Sequence, residues 1–345
     1  MNREKPIYLP AEICEIVPGQ AYRGKLDPNQ TASMIQVACR PPAENANTIV
    51  GDGFQRLGLH PNTQGAALGA FGLTVSPQMA VTPARRLPPP RVSYRSGAAV
   101  IREHEAGWNM RDVQFHSGGN MMGRWAVLLV QEGRREEFSG ADDPELVAFL
   151  QSFLKQCRLS GLQNADQPPL VLETTAPRDD DANRSRALEQ IRNIFRTRLR
   201  REAKPSFVLV LLSSGDKNIY HGIKRLMDME MGVHTVHMLL SKARREPHKQ
   251  VQYFANVALK VNAKLGGVNH LLDPGSMKWL TEKPTMVMGI DVTKPGPGST
   301  SGTPSIAAAV ASIDSRFAQF PARLTLQAPD WNKESKEVSP SQPHV

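Results

Sequence analysis

The clearest pattern in the sequence is an alternation of short apolar runs with longer amphipathic segments. The run FVLVLLSS (207–214) is short, apolar and rich in branched residues, which is typical of a buried parallel strand. A helix from about 218 to 231, a second strand over 234–240 and a second helix from about 248 to 264 follow it. This order predicts a doubly wound α/β domain. A polar loop over 177–187 precedes the unit and leads into a helix, because apolar residues then recur at helical spacing, namely Leu188, Ile191, Phe195 and Leu199.

Upstream of this unit the patterns are weaker. The runs WNMRDVQF (108–115) and RWAVLLVQ (124–131) resemble strands. Residues 76–97 are rich in proline and arginine, which favours an extended linker or a layer lying on another domain. Further upstream, either Asp27 or Asn29 is placed to cap a helix whose apolar positions are Met34, Ile35 and Val37.

The end of the chain changes character. Three strand-like runs, MVMGIDV (286–292), SIAAAVASID (305–314) and ARLTLQA (322–328), are joined by turn-forming segments such as KPGPGSTSGTP. They predict a β-meander that begins a further domain. No helical pattern follows the third run, so we expect this domain to be incomplete in the chain.

Composition and charge narrow the class of protein. Lys and Arg number 42 against 33 Asp and Glu, a balance that fits a phosphate-rich partner without proving one. The three cysteines, Cys14, Cys39 and Cys157, form no zinc-binding spacing and indicate a reducing compartment. No apolar run approaches the roughly 18 residues that span a bilayer. We therefore expect a cytoplasmic or nuclear protein with no membrane partner.

Two pairs of side chains in the α/β unit suggest chemistry. Tyr220 and Lys224 share one face of the first helix, and Lys260 and Lys264 share one face of the second. Ligands of such sheets bind beyond the carboxyl ends of the strands. If the two faces meet there, they form a pocket for a doubly charged phosphate, and Tyr220 adds a ring on which a base can stack. The alternative is that these lysines are only the solvated faces of amphipathic helices.

The sequence also carries a set of longer motifs. They are, in chain order, YLPAEICEIVPGQ, DPNQTASMIQVACR, WNMRDVQF, IYHGIKR, LKVNAKLGGVNHLL and MGIDVTKPGPGSTSGTPSIAAAVAS. Together they resemble eukaryotic Argonaute proteins from residue 7 to about 328. The resemblance implies a fragment of α/β class: the end of a PAZ domain (1–18), linker 2 (19–130, mixed α/β), a Rossmann-like MID domain (131–282) and the truncated start of a ribonuclease-H-like PIWI domain (283–345).

The resemblance implies roles for the residues of the α/β unit. Tyr220, Lys224 and Lys264 match the motif residues that bind the 5′ phosphate of a guide RNA, and Lys260 lies close to this pocket in relatives. The family often has Thr-Gln-Cys in the second strand, whereas this chain has the sequence HTVH (234–237), with Val236 in place of the Gln. His234 and Thr235 are the candidates to replace the lost contact, although a lone histidine in a strand is more often structural. The loop 214–219 matches the segment that reads the first base of the guide.

Three further residues match functional positions of the family. Ile35 matches an apolar side chain that wedges into the seed of the guide, and Thr31 would face the guide backbone. The pattern by itself favours a helix-core role for Ile35. Asp291 matches the first carboxylate of a site that holds two Mg²⁺ ions about 3.5–4 Å apart. One carboxylate cannot hold two ions, so we expect no Mg²⁺ cofactor and no cleavage by this chain.

Three functions from different classes are open at this stage. The first is a module that binds a small guide RNA with a 5′ phosphate, whose partners would be target RNA paired with the guide and proteins of a silencing complex. The second is a magnesium-dependent RNA slicer, which needs the missing PIWI region. The third is a protein-interaction remnant that binds no RNA. A preference for 5′-phosphorylated RNA separates the first from the third, and metal-dependent cleavage separates the second.

Overall fold

The computed structural model describes most of the chain, and two compact units make it up. The described residues are 9–20, 22, 26–59, 66–96, 99, 101, 107–110, 113–176, 181–199, 203–296, 299 and 302–328. One unit comprises Leu87–Gly289 and Val310–Ala322, and the other comprises Met1–Arg86, Ile290–Ala309 and Arg323–Val345. Each unit is described by itself below.

The described residues form ten α-helices and nine strands. The helices are α1 (Pro28–Ala38), α2 (Pro42–Thr48), α3 (Phe54–Arg56), α4 (Ala66–Ala70), α5 (Pro144–Leu159), α6 (Ser185–Leu199), α7 (Lys217–Arg225), α8 (Leu240–Ala243), α9 (Pro247–Lys264) and α10 (Pro274–Thr281). The strands are β1 (Val92–Ser93), β2 (Ala126–Gln131), β3 (Leu170–Thr175), β4 (Val208–Leu212), β5 (Thr235–Leu239), β6 (Leu271–Leu272), β7 (Met288–Thr293), β8 (Ser305–Ala311) and β9 (Ala322–Gln327). A 3₁₀ turn covers Ala11–Ile13, and π-helical turns cover Ile49–Gly53 and Leu226–Met231.

A four-stranded parallel sheet is the centre of the larger unit, and its strand order is β3-β2-β4-β5. Helices α5 and α9 contribute to the apolar core on one face of the sheet, and α6 and α7 contribute to the core on the other. This arrangement confirms the doubly wound α/β fold that the alternating pattern predicts. It also makes β5 an edge strand, with β4 as its neighbour in the sheet.

The two apolar cores explain why these segments form strands. Every residue of β4 is buried, because its side chains alternate between the two faces and both faces are covered by helices. On the α5 and α9 face, the Trp125 and Phe207 rings stack with their centroids 5.3 Å apart, and Phe153 packs beside Trp125. Aromatic side chains bury large areas, so this group contributes strongly to the stability of the unit.

Two predictions about strands upstream of residue 131 have opposite outcomes. The run RWAVLLVQ contains β2, which pairs with both β3 and β4. The sheet therefore begins at Ala126, before the boundary that we place at residue 131. The expectation of a strand over WNMRDVQF is wrong for its described residues, where Gln114 forms only an isolated bridge with Ser96. The side chain of Trp108, in the same segment, donates a hydrogen bond from Nε1 to Tyr94 Oη at 2.9 Å.

The capped helix near the beginning of the chain forms as predicted. The side chain of Asp27 accepts hydrogen bonds from the backbone of Asn29 and Gln30, and the Gln30 side chain accepts one from the backbone of Asp27. This reciprocal capping box fixes the start of α1. In contrast to a helix-core role, Ile35 is about half exposed, as is its neighbour Met34. The proline- and arginine-rich residues 79–91 form neither helix nor strand.

The three strand-like runs near the end of the chain form a three-stranded sheet with the order β7-β8-β9. Sequential strands are neighbours, so the predicted β-meander is confirmed. Residues 329–345, which include the polar tail, lie outside the described residues.

The motif KVNAKLGG owes part of its sequence to packing at the end of α9. The amide of Asn262 is fully buried, accepts a hydrogen bond from Gly119 N at 2.6 Å and donates one to Asn269 Oδ1 at 2.9 Å. Gly266 ends the helix with φ of 77°, a conformation that favours glycine. At Gly267 a Cβ would lie 2.3 Å from Asn262 Oδ1, so the amide needs the space that this glycine leaves.

We predict that Asn262→Ala lowers the free energy of unfolding by about 2–3 kcal/mol, because it leaves the buried Gly119 N–H without an acceptor. The measurement is urea denaturation of the chain, followed by circular dichroism. Asn193→Ala is the matched control, since Asn193 lies on the exposed face of α6, and we expect it to change stability by less than about 0.5 kcal/mol. Equal midpoints for the two variants would contradict the structural role of Asn262.

Candidate functional site

Two lysines from different helices converge on one residue of the edge strand β5. Lys224 of α7 donates a hydrogen bond from Nζ to Thr235 Oγ1 at 3.1 Å. Lys264, the last residue of α9, donates from Nζ to the Thr235 backbone carbonyl at 2.6 Å. The structure therefore brings together three of the residues that the sequence indicates, and Thr235 is the residue to which both ammonium groups bind. We call Lys224, Lys260 and Lys264 the lysine cluster.

The lysine cluster does not lie where the sequence argument places it. The expected location was beyond the carboxyl ends of the strands, but Thr235 is the first residue of β5. Helices α7 and α9 run back along the sheet, so their last turns lie at the amino ends of the strands. The cluster lies along the free edge of β5, where helices on the two faces can both reach around the strand.

The free edge also supplies the acceptor for Lys264. Backbone groups of successive strand residues point alternately to the two sides of a strand. His234 O accepts a hydrogen bond from Val208 N in β4, so the next carbonyl, that of Thr235, points away from β4. In a central strand this carbonyl would bind a neighbouring strand. Here it binds an ammonium group.

Burial and like charge alter the acid–base behaviour of the cluster. Partial burial and the nearby charge of Lys224 lower the pKa of Lys264 to about 8. Lys260, one turn earlier in α9, is exposed and has a smaller lowering effect on the same pKa. Because two ammonium groups meet at one residue, an anion placed beside them would be attracted to both.

An aromatic pair lies beside the lysines. The ring of Tyr220 is 41% exposed, and its centroid lies 4.7 Å from that of His237 in β5. Burial and the charges of Lys224 and Lys264 lower the pKa of His237 to about 3, so its imidazole is neutral at physiological pH. Its Nε2 is buried and has no hydrogen-bond partner among the described residues. The Tyr220 ring is thus partly exposed to solvent, and the His237 ring packs against it.

His237 is a site residue that the sequence argument missed, and His234 is not brought into the cluster. Residues 235 and 237 share one face of the strand, since side chains alternate. His234 has the opposite parity and is exposed just before β5 begins. Val236 also has that parity, and it is buried in the core on the α9 face. The sequence signal for His237 is its position two residues after Thr235, which places both side chains on the same face of β5.

The loop that leads into α7 is held by a buried arginine. Arg184, whose side chain is 1% exposed, donates from Nη2 to Glu132 Oε1 at 2.9 Å and to the Ala176 carbonyl at 2.8 Å. Its Nε lies 3.1 Å from Asp216 Oδ2. These contacts join the ends of β2, β3 and β4 at the carboxyl edge of the sheet.

Asp216 then fixes the start of the helix that carries Tyr220. Its Oδ1 accepts hydrogen bonds from the backbone of Asn218 at 2.9 Å and of Ile219 at 3.1 Å, which caps α7. The loop 214–219 is therefore tied to the buried Arg184 through a residue of its own. Tyr220 is the next residue, so the capped start of α7 fixes the position of its backbone.

The remaining candidates belong to the other compact unit. Thr31 in α1 donates its hydroxyl to the Asp27 carbonyl at 2.8 Å, so in this structure the hydroxyl serves the helix cap. Ile35 is one turn further along and exposed. Asp291 lies in β7 and is also exposed.

The described residues contain no group of three or more His, Cys, Asp or Glu side chains that could hold a metal ion. In the same described part of the chain, no helix combines the length and apolar character needed to cross a bilayer.

Comparison with family models identifies two domains in the chain. Residues 44–94 match the Argonaute linker 2 domain, and residues 207–336 match the Piwi domain. The Piwi match starts at β4, so it covers the lysine cluster and the sheet β7-β8-β9.

Argonaute proteins of plants align along most of the chain. The chain is 31% identical over 318 residues to protein argonaute MEL1 of Oryza sativa subsp. japonica and 29% identical over 316 residues to protein argonaute 5 of Arabidopsis thaliana. Each alignment covers 90% of this chain but only 28% and 29% of the relative, respectively.

The fold matches that of Kluyveromyces polysporus Argonaute with a guide RNA, with a TM-score of 0.68 and 23% identity over 98% of this chain and 38% of the other. It also matches Drosophila Piwi, with a TM-score of 0.60 and 16% identity over 86% of this chain and 37% of the other. A linker 2 domain followed by a Piwi domain, with argonaute relatives aligned along nine-tenths of the sequence, shows that the chain belongs to the Argonaute family.

Proposed function

We propose that the lysine cluster binds the 5′-terminal phosphate of a small guide RNA. The observation that carries the proposal is the convergence of Lys224 and Lys264 on Thr235 beside the exposed ring of Tyr220. Both ammonium groups are already oriented toward one point. Partial burial, and after it the charge of Lys224, lowers the pKa of Lys264, and a bound anion would favour the charged form of this side chain.

The charge of the ligand decides which part of an RNA suits the cluster. A terminal monophosphate carries close to two negative charges near neutral pH, whereas an internal phosphodiester carries one. Charge-assisted hydrogen bonds from two lysines are stronger for the dianion. The cluster therefore favours the phosphorylated end of an RNA strand over the internal phosphodiesters of that RNA.

Tyr220 and the loop 214–219 supply contacts for the first nucleotide. Stacking of a base on an aromatic ring contributes about 1–3 kcal/mol and works for every base. The support from His237 and from the capped start of α7 holds the Tyr220 ring in place before the ligand arrives. Such preorganisation lowers the entropic cost of binding.

Family membership supports an RNA ligand. The structure of Kluyveromyces polysporus Argonaute, whose fold this chain shares, contains a guide RNA. For the whole protein to which this chain corresponds, we propose target RNA paired with the guide, and proteins of a silencing complex, as further partners. Asp291 is a candidate for one carboxylate of a slicer site, but cleavage is not part of the proposal for this chain.

We predict that the chain binds 5′-phosphorylated RNA more tightly than 5′-hydroxyl RNA of the same sequence. Lys224→Ala and Lys264→Ala should each weaken binding of the phosphorylated RNA about tenfold or more, because a hydrogen bond to a charged group contributes roughly 1.5–3 kcal/mol. Tyr220→Ala should weaken binding of both RNAs, since stacking does not depend on the phosphate. The measurement is fluorescence anisotropy with labelled oligonucleotides at fixed salt.

Lys155→Ala is the matched control for the lysine variants, because Lys155 lies on the exposed face of α5. It removes the same charge away from the cluster and should affect both RNAs equally and slightly. If the wild type binds both RNAs with equal affinity, or if the cluster variants lose the same factor for both, the lysines are only a solvated surface.

We also predict that the affinity for 5′-phosphorylated RNA depends on pH through Lys264. Without bound phosphate, the pKa of Lys264 is lowered to about 8, and the negative charge of a bound phosphate raises that pKa. Affinity should therefore be highest below pH 8 and fall by up to about tenfold per pH unit as the pH rises above it. Protonation of the phosphate, whose second pKa is about 6, should weaken binding at the acidic end.

Lys264→Arg tests this assignment, because a guanidinium stays charged throughout the range. In that variant the fall in affinity between pH 7.5 and 9.5 should disappear. A wild-type affinity that is constant between pH 7.5 and 9.5 would show that Lys264 does not bind the phosphate.

A further inference from the structure

A negatively charged side chain, that of Asp228, lies beside Lys224 of the lysine cluster. Asp228 lies one turn after Lys224, in the π-helical turn Leu226–Met231, and its Oδ2 is 3.1 Å from Lys224 Nζ. The second oxygen, Oδ1, lies 3.4 Å from the same nitrogen. The side chain is 46% exposed, so solvent and ligands can reach it. No step of phosphate binding described above uses this carboxylate.

Asp228 also acts on the other lysine. Its negative charge raises the pKa of Lys264, against the lowering effects of burial, Lys224 and Lys260. Lys224 contacts the carboxylate directly, at 3.1 Å. His237 on the strand is neutral and does not compensate the carboxylate.

We propose that Asp228 is a built-in competitor that keeps small phosphates, such as inorganic phosphate and mononucleotides, out of the lysine cluster. This role of Asp228 rests on the proposed phosphate-binding function of the cluster, because it concerns which phosphates that same site excludes. Any phosphate that binds Lys224 must displace the carboxylate or lie beside it, and both weaken binding.

The weakening has different consequences for small and large ligands. Inorganic phosphate gains its affinity from the lysines alone, so losing part of that attraction leaves the site empty at ordinary concentrations. An RNA adds stacking on Tyr220 and contacts along its backbone, and these remain when the phosphate contact is weakened. The carboxylate therefore selects for ligands that bind more of the surface than the two ammonium groups.

The test replaces the carboxylate by an amide of the same shape and measures inorganic phosphate and a nucleoside 5′-monophosphate by isothermal titration calorimetry. Asp228→Asn should bind both about three- to tenfold more tightly than the wild type. Asp228→Glu keeps the charge and should stay within about twofold of the wild type.

Asp166→Asn is the matched control, since it changes the net charge equally at an exposed site paired with Arg158, and it should not alter phosphate binding. A gain as large in Asp166→Asn would show that net charge alone is responsible. If Asp228→Asn binds inorganic phosphate no more tightly than the wild type, or more weakly, the carboxylate positions Lys224 instead of competing, and the proposal is wrong.

A second readout needs no ligand. Because the Asp228 charge favours the protonated form of Lys264, its removal should lower the pKa of that amine further. Acetylation of Lys264 near pH 7.5, measured by mass spectrometry of its peptide, should become severalfold faster in Asp228→Asn and remain unchanged in Asp166→Asn. An unchanged rate in Asp228→Asn would overturn the proposed coupling.

Failure of the guide-RNA function is distinguishable from failure of this proposal. If phosphate binding increases in Asp228→Asn while RNA with and without a 5′ phosphate binds equally, the cluster is an anion site and the guide-RNA function alone fails.

Discussion

The free edge of β5 is the constraint on which the candidate site depends. A strand inside a sheet has its carbonyl groups bound by neighbours on both sides, whereas β5 has β4 on one side. The carbonyl of Thr235 is therefore available, and Lys264 occupies it from one helix while Lys224 binds the hydroxyl of the same residue from another. Each ammonium group has a polar partner, and partial burial together with the charge of Lys224 lowers the pKa of Lys264.

Contacts elsewhere in α7 and α9 position the Nζ atoms of Lys224 and Lys264. The buried amide of Asn262 joins the end of α9 to the segment that contains Ser117 and Gly119, and Lys264 follows two residues later. On the other helix, Asp216 caps the start of α7 and is bound to the buried Arg184. A buried arginine with carboxylate partners is costly to desolvate, so its contribution is to fix the loop geometry more than to add stability.

The motifs that reveal the family therefore combine packing with chemistry. In KVNAKLGG, Asn262 and Gly267 are matched to each other by a close approach, and Lys260 and Lys264 carry the charge. In IYHGIKR, Tyr220 and Lys224 belong to the site, whereas Ile219 and Ile223 are buried in the core below the helix. Asp228, just beyond this motif, forms an ion pair with Lys224.

The sequence by itself indicated β4, β5 and the helices α6, α7 and α9 in their order, because a short apolar run and apolar residues at helical spacing are local signals. It did not indicate α5 or β3. The sequence also determined the cap of α1, whose signal is local to Asp27 and Gln30, and the pairing of Tyr220 with Lys224 on one helical face. Only the tertiary structure decided that β5 is an edge strand, since strand order depends on how distant helices pack. That choice left the carbonyl of Thr235 available to Lys264, and the alternation of side chains along β5 placed His237 instead of His234 beside Tyr220. The packing direction of α7 and α9 brought their last turns, and with them the two lysines, together at the start of β5.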